Sequence, residues 1–441
     1  MKLDKFYILQ QLKSFKSANT SRLVIALSGG IDSVVLLHLL HTVRQQLTQT
    51  IIAIHINHNL HTESASWSNR CAQLCTQLNI DFKTINVKVN LSNGESLEAM
   101  AREARYQAFR EIISTNDYLL TAHHINDQTE TFLLQLFRGS GVKGLSAMPK
   151  ILTFGHGKLL RPLLEQSRAN IIDYAKQYQL TWIEDPSNTN TNFDRNFLRH
   201  QILPNLNKRW PALNQTVLRS SHHMAEAQTI LDDVAQTDLD ELSHNNTLNT
   251  EQLENLSHIR QKNLIRFWIR QSGYRVPSDT QLREVINNVI IANSDKMPVL
   301  TWQYGEIRRY NKQLFIMPPL KKFNTNWQAK LPINEVLALP ANIGNLVCNP
   351  IKGRGIKSTA KQITVKFRQG GEHCLLPNKK HHQSLKKLFQ EHKIKPWQRD
   401  RIPLLFINGE LAAVVGLWIC QPYNVINKDE MGMNIILEPN N

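Results

Sequence analysis

From residue 22 to about residue 118 the chain alternates short apolar, β-branched runs with longer stretches whose apolar positions recur at helical spacing. Leu23-Val24-Ile25-Ala26-Leu27 and Ile51-Ile52-Ala53-Ile54-His55-Ile56 read as buried strands, with a helix over residues 33–40 between them. Two more runs, at 82–89 and 118–122, flank a helical stretch over 96–113. Strand and helix repeated in this order predict an α/β fold, a doubly wound parallel sheet that binds its ligands at the carboxyl ends of the strands.

Beyond Trp210-Pro211 the pattern changes. Amphipathic stretches over 217–235, 251–271 and 280–292 predict a mainly helical middle domain, closed by a β meander over 299–304, 306–310 and 313–317. The polar, Pro-punctuated segment 318–332 reads as a linker. A small α+β unit follows, with strict alternation at Ile363, Val365 and Phe367, a helix over 384–390 and two apolar runs joined by Asn408-Gly409, a strong hairpin signal. The expected domains are residues 1–215, 216–325 and 326–441, in line with about 150 residues per domain.

Composition serves mainly to exclude. With 41% hydrophobic and 20% charged residues and no biased repeats, the chain is neither disordered nor fibrous. Its best apolar stretch, 402–420, is interrupted by Asn408, Gly409 and Glu410, and the start Met1-Lys2-Leu3-Asp4-Lys5 opens no secretory apolar region. A cytoplasmic protein with no membrane partner is expected. Five cysteines make no disulfide framework, and Cys71 and Cys75 lack the further ligands that zinc needs, so both read as small buried residues. The formal net charge of +16 favours a polyanionic partner; residues 351–410 alone hold 14 Lys and Arg against 4 Asp and Glu, a net +10.

Ser28-Gly29-Gly30-Ile31-Asp32-Ser33 stands between a strand and a helix, where backbone N–H groups and the helix N-terminus meet anions. It lacks the Gly-Lys-Ser/Thr ending of a Walker loop. Bare phosphate would repel Asp32, which makes sense if this carboxylate holds Mg²⁺ bridging to the diphosphate end of ATP; the alternative is a plain capped turn. Downstream, residues 121–131 follow a strand and open a helix, so they face the same crevice. There Asp127 and Glu130, spaced i, i+3, can hold a cation together or simply favour the helix dipole. Arg195 and Arg199 stand one helical turn apart, suited to phosphate or carboxylate.

Together these segments resemble the bacterial tRNA(Ile)-lysidine synthetases, a branch of the ATP-pyrophosphatase (PP-loop) group. The glycine loop marks only the wider group. The narrower likeness rests on His55-Ile56-Asn57-His58-Asn59-Leu60, Ala101-Arg102-Glu103-Ala104-Arg105-Tyr106, residues 121–131, Arg138-Gly139-Ser140-Gly141, Glu184-Asp185-Pro186-Ser187-Asn188 with Arg195-Asn196, and, near the C-terminus, Phe367-Arg368-Gln369-Gly370-Gly371-Glu372 and Pro396-Trp397-Gln398-Arg399-Asp400-Arg401. Asn126 departs from the family, which usually carries an acid there.

The resemblance implies a PP-loop domain of the adenine nucleotide alpha-hydrolase type and an ATP-dependent ligase. In this family the C2 oxygen of the wobble cytidine in a CAU-anticodon tRNA(Ile) is adenylated, and free L-lysine then displaces AMP, which changes codon meaning from AUG to AUA. Ser28, Gly29, Gly30, Ile31, Asp32 and Ser33 would cradle ATP, with Mg²⁺ on Asp32. Arg105 and Arg195 would neutralise phosphate or hold the lysine carboxylate, Asp127 and Glu130 would take the ammonium groups, and His124 or one of these acids would accept a proton. Lys379, Lys380, Lys386, Lys387 and Arg399 would grip tRNA phosphates, and the reading leaves room for a homodimer. The nearest rival is a PP-loop tRNA sulfur-transferase, which needs reactive cysteines near the site; none stands between Cys75 and Cys348. A small-molecule ligase and a non-catalytic RNA-binding protein explain less, the first ignoring the charge and the second the Asp127/Glu130 pair.

Overall fold

The computed structural model describes residues 2–14, 22–59, 63–89, 97–291, 297–332, 335–357, 362–377 and 379–439. Leu60, Ser96 and Ala292, which belong to segments discussed above, lie outside the described residues. The chain forms two compact units, Met1–Asp233 and Val234–Asn441.

The first unit is built on a six-stranded sheet from β1 (Arg22–Ala26), β2 (Thr50–Asn57), β3 (Asp81–Asn86), β4 (Tyr118–Leu120), β5 (Ile151–Phe154) and β6 (Gly157–Leu160), in the order β3-β2-β1-β4-β6-β5. β1 runs parallel to β2 and β4, β2 to β3, and β4 to β6, while β5 turns back antiparallel on β6. Leu23, Val24 and Ile25 are all buried, as are Leu119 and Leu120, so these strands read as continuous apolar runs because helices cover both faces. One face packs on α1 (Lys5–Ser14), α2 (Ile31–Val43), α3 (Ser64–Gln77) and the helix Arg168–Gln177, through Tyr7, Leu36, Cys71 and Ile171. The other meets α4 (Leu97–Ile112) through Ala108 and Phe109. The carboxyl ends of β1 and β4 lead into the glycine loop and into α5 (Ile125–Phe137).

The helix Leu213–Leu242 runs without a break through residue 216, where a domain boundary was expected. The stretch 251–271 is two helices rather than one, Thr250–Glu254 and His258–Gln271, because Asn249 and Ser257 each cap a new start: Ser257 Oγ accepts from Arg260 N at 3.5 Å. The meander forms as Val299–Trp302, Gly305–Tyr310 and Gln313–Met317. Part of the expected linker is a strand, Gln328–Lys330, paired antiparallel with Ile363–Lys366. The rest of the second unit holds two larger antiparallel sheets sharing a core of Leu346, Val365, Leu405 and Met433, and a two-stranded pair, His373–Cys374 with Gln383–Ser384. Asn408 and Gly409 turn the hairpin Leu404–Ile407 to Glu410–Val414 with φ of 48° and 83°, the paired left-handed residues such a turn requires. Cys374 and Cys420 are joined as a disulfide, a pairing that the scattered spacing of the cysteines concealed.

Candidate active site

The glycine loop has the geometry of an anion cradle. Gly29 adopts φ of +87°, and a Cβ there would stand 2.5 Å from Ile183 Cδ1 and 3.0 Å from Cys71 Sγ, so the position needs glycine. Ser33 Oγ accepts from Gly29 N (3.1 Å), donates to Gly30 O (2.9 Å) and lies 3.1 Å from Ser28 Oγ, which ties the loop into a ring. Gly30 is the N-cap of α2, and no side chain caps this end. The N–H groups of the first turn, at Ile31, Asp32 and Ser33, are thus left for a ligand.

Asp32 opens α2 and is one-third exposed. Its buried Oδ1 has no hydrogen-bond partner. Burial, and then the charge of Asp127, push its carboxyl above the ordinary carboxylate range, against the pull of His124, Arg168 and Arg199. His124 is the N-cap of α5 and, with Asp127, completes a capping box: its Nδ1 accepts from Asp127 N (3.4 Å), and Asp127 Oδ2 accepts from His124 N (3.0 Å). The proton therefore sits on Nε2, 3.6 Å from Asp32 Oδ1 and 3.5 Å from Asp127 Oδ2. Asp127 is held well below the usual carboxylate range: burial opposes this, but His124 and Arg195 outweigh it.

Glu130 differs from the expectation that it takes an ammonium group. It is fully buried, and both its oxygens are taken: Arg195 Nε donates to Oε2 (2.7 Å), and Arg199 donates from Nε to Oε1 (2.7 Å) and from Nη2 to Oε2 (3.0 Å). Arg199 Nη2 also reaches Asp127 Oδ1 at 3.2 Å. Burial works against both guanidinium charges, and Asp127 and Glu130 restore them. Arg195 lies in the short helix Asp194–Phe197 and Arg199 in the π-helical turn Leu198–Ile202 that continues it. Asn196 pins that helix to the Asp185-capped turn, donating to Ser187 O (3.0 Å) and Asn190 O (2.9 Å). Asn126, the family departure, accepts from Arg168 N at 3.1 Å.

Arg105 is not part of this cluster; it is exposed on α4, its Nε 3.4 Å from His58 Nε2 beyond the end of β2. Burial, and then Arg105, lower His58 to about 4. His55 is structural, its Nδ1 2.9 Å from Leu27 O. Of the basic residues expected to meet tRNA, Lys379, Lys380, Lys386 and Lys387 are exposed, Lys386 and Lys387 on the helix Leu385–Glu391. Arg399 is half-buried and donates from Nε to Ile394 O (2.8 Å), so part of its guanidinium serves the fold. The three free cysteines, Cys71, Cys75 and Cys348, are all buried, and burial pushes the Cys71 and Cys75 thiols up to about 11 and 12. A nucleophilic thiolate is not available from them.

Residues 5–206 match the PP-loop domain, residues 248–315 the TilS substrate binding domain and residues 363–435 the TilS substrate C-terminal domain. A tRNA(Ile)-lysidine synthase of Coxiella burnetii is 42% identical over 423 residues, 96% of this chain and 94% of its own. One from Pectobacterium atrosepticum is 40% identical over 410 residues, 92% of each. Among solved structures, a U34-tRNA thiolase from Methanococcus maripaludis aligns with 50% of this chain and 78% of its own at 20% identity and a TM-score of 0.42.

Proposed function

Because the chain belongs to the tRNA(Ile)-lysidine synthase family, a family of ligases, we propose that it uses ATP to join free L-lysine to C2 of the wobble cytidine in the CAU anticodon of tRNA(Ile). The near full-length match to these enzymes carries the reading, and the open cradle at the N-terminus of α2 agrees with it. The C2 oxygen of cytosine attacks the α-phosphorus and diphosphate leaves; the lysine amine then attacks C2, loses a proton and expels AMP.

In this scheme the first-turn N–H groups of α2 and the hydroxyls of Ser28 and Ser33 hold the diphosphate end of ATP. The unpartnered Asp32 Oδ1 and the neighbouring charge of Asp127 suit Mg²⁺. Magnesium needs only one or two carboxylates besides phosphate and water. When bound, it offsets charge on the leaving diphosphate. Asp127 remains ionised and is the acid we assign to the lysine ammonium. Glu130 acts behind it as a positioning residue, fixing Arg195 and Arg199 so that their guanidinium groups meet substrate oxyanions in a set direction. Arg105 serves the far side of the crevice. The reacting amine, with an ordinary pKa of about 10.4, must lose its proton before attack, and His124 Nε2, already protonated, points instead to a hydrogen-bond donor.

Lys379, Lys380, Lys386 and Lys387, with the free part of Arg399, are assigned to tRNA phosphates. We place the enzyme in the cytoplasm; no described helix is long and apolar enough to cross a membrane. The test is incubation with Mg-ATP, lysine and unmodified CAU-anticodon tRNA(Ile), digestion, and mass analysis of the nucleosides. A cytidine heavier by lysine less water, absent without lysine or ATP and absent with Asp32→Ala, is the expected product. AMP release with no such nucleoside would move the function to another acceptor.

A further inference from the structure

The carboxyl edge of the sheet has a second, all-cationic lobe that the ATP cradle and the Glu130 cluster leave unused. Arg161 follows β6 directly, next to the end of β4, where Thr121 N donates to Leu160 O at 3.0 Å. It is only 6% exposed. Its Nη1 donates to Pro149 O (2.6 Å), and its buried Nε has no partner. The groups acting on it are the Tyr106 hydroxyl, which hydrogen-bonds to it, and a second cation, Arg102. Arg102 is exposed on α4, its guanidinium 5.0 Å above the Tyr106 ring and its Nη2 3.3 Å from the same hydroxyl. His123 feels both groups of charges: Asp127 favours its charged form, and Arg161, Arg102 and Arg195 oppose it.

A nearly buried guanidinium beside another cation, with no carboxylate ion pair to it among the described residues, is an unfavourable arrangement that an anionic ligand completes. We propose that Arg161, Arg102 and Tyr106 form a phosphodiester site that receives a backbone phosphate of the anticodon strand adjacent to the wobble cytidine. The inference rests on the function proposed above. Other oxyanions of the reaction fit less well. ATP phosphates belong to the loop after β1, and β6 lies two strands away, about 10 Å across the sheet. Free lysine is a net cation, which this lobe repels, whereas a displaced RNA strand brings a phosphate at each nucleotide. Extruding a base costs a few kcal/mol and requires the backbone on either side to be held.

The test uses the full chain with tRNA(Ile) and with the same tRNA carrying one methylphosphonate, which removes a single backbone charge, at each phosphate flanking the wobble cytidine in turn. Arg102→Ala and Arg161→Lys are expected to raise KM for tRNA about tenfold while kcat and the KM values for ATP and lysine stay within about twofold. One methylphosphonate should raise the wild-type KM by a similar factor and add nothing in either variant. Arg102 is exposed, so its variant reports even where Arg161→Lys folds poorly. A raised KM for lysine, or methylphosphonate losses that add to those of Arg102→Ala at every position, would overturn the site. Filter binding of the same RNAs makes the comparison without turnover, so a failure of lysidine formation itself is told apart from a failure of this site.

Discussion

Asp32 carries an ionisation that the fold resists: burial and the charge of Asp127 raise its carboxyl, so its charge opposes folding above that raised value and not below the ordinary one. Asp32→Asn is therefore expected to cut AMP and lysidine formation more than about 100-fold while raising Tm at pH 7. That gain should shrink as the pH is lowered through the raised pKa, where the wild-type group is itself protonated; thermal melts across pH read both. His58 and His123 act with the opposite sign. Burial and nearby arginines hold them down to about 4 and about 3, so between pH 6.5 and 4 the unfolded chain binds more protons than the folded one. Their contribution is complete above 6.5 and is lost as the pH falls, and His123→Gln should flatten that decline. Glu130 is sensitive for a different reason. Both its oxygens pair with arginine in a fully buried setting, so Glu130→Ala, which leaves Asp127 to compensate both Arg195 and Arg199, should cost about 3 kcal/mol in denaturant unfolding.

At the scale of elements, the glycine loop works because β1, the turn and α2 are held together by close approach. Gly29→Ala adds a Cβ within 2.5 Å of Ile183 at a left-handed φ. It should destabilise the unit by about 1–3 kcal/mol and weaken ATP binding measured by calorimetry, while leaving tRNA affinity near wild type. This loop and the parallel strands were legible in the sequence because their signals are local: unbroken apolar runs, paired glycines, a polar helix start. The break between Glu254 and His258 was hidden because apolar spacing continues across it, and only the capping by Ser257 overrides that period. The strand Gln328–Lys330 could not be read from its polar residues, since its partner lies more than 30 positions away, at Ile363–Lys366. The same limit applied to the site. Spacing placed Asp127 beside Glu130 on α5, but the arginines that claim Glu130 are 65 and 69 residues further on, and only tertiary contact shows that Glu130 has both oxygens taken at 2.7 Å while Asp127 meets the same arginines at 3.2 and 3.5 Å.

For the whole molecule, the surplus of positive charge is an argument about RNA rather than about folding. A net +10 over residues 351–410 gives association with tRNA a strong electrostatic component. Each phosphate neutralised releases counterions, so affinity falls with salt at a slope set by the number of contacts, roughly 0.7–0.9 per contact. Lys386 and Lys387 are exposed and sit in the first turn of the helix Leu385–Glu391, whose N-cap Ser384 accepts from Lys387 N. Acids are favoured at those positions by the helix dipole, so replacing both lysines with glutamate should not melt the helix. Any loss of binding then reports on phosphate contact and not on unfolding. The double variant is expected to bind tRNA(Ile) at least about tenfold more weakly at low salt, with the slope of log affinity against log salt flatter by about 1–2. ATP affinity and turnover at saturating tRNA should be unchanged. A salt slope identical to that of the wild type would place the tRNA on another face of the second unit and leave the charge of this helix without a role in binding.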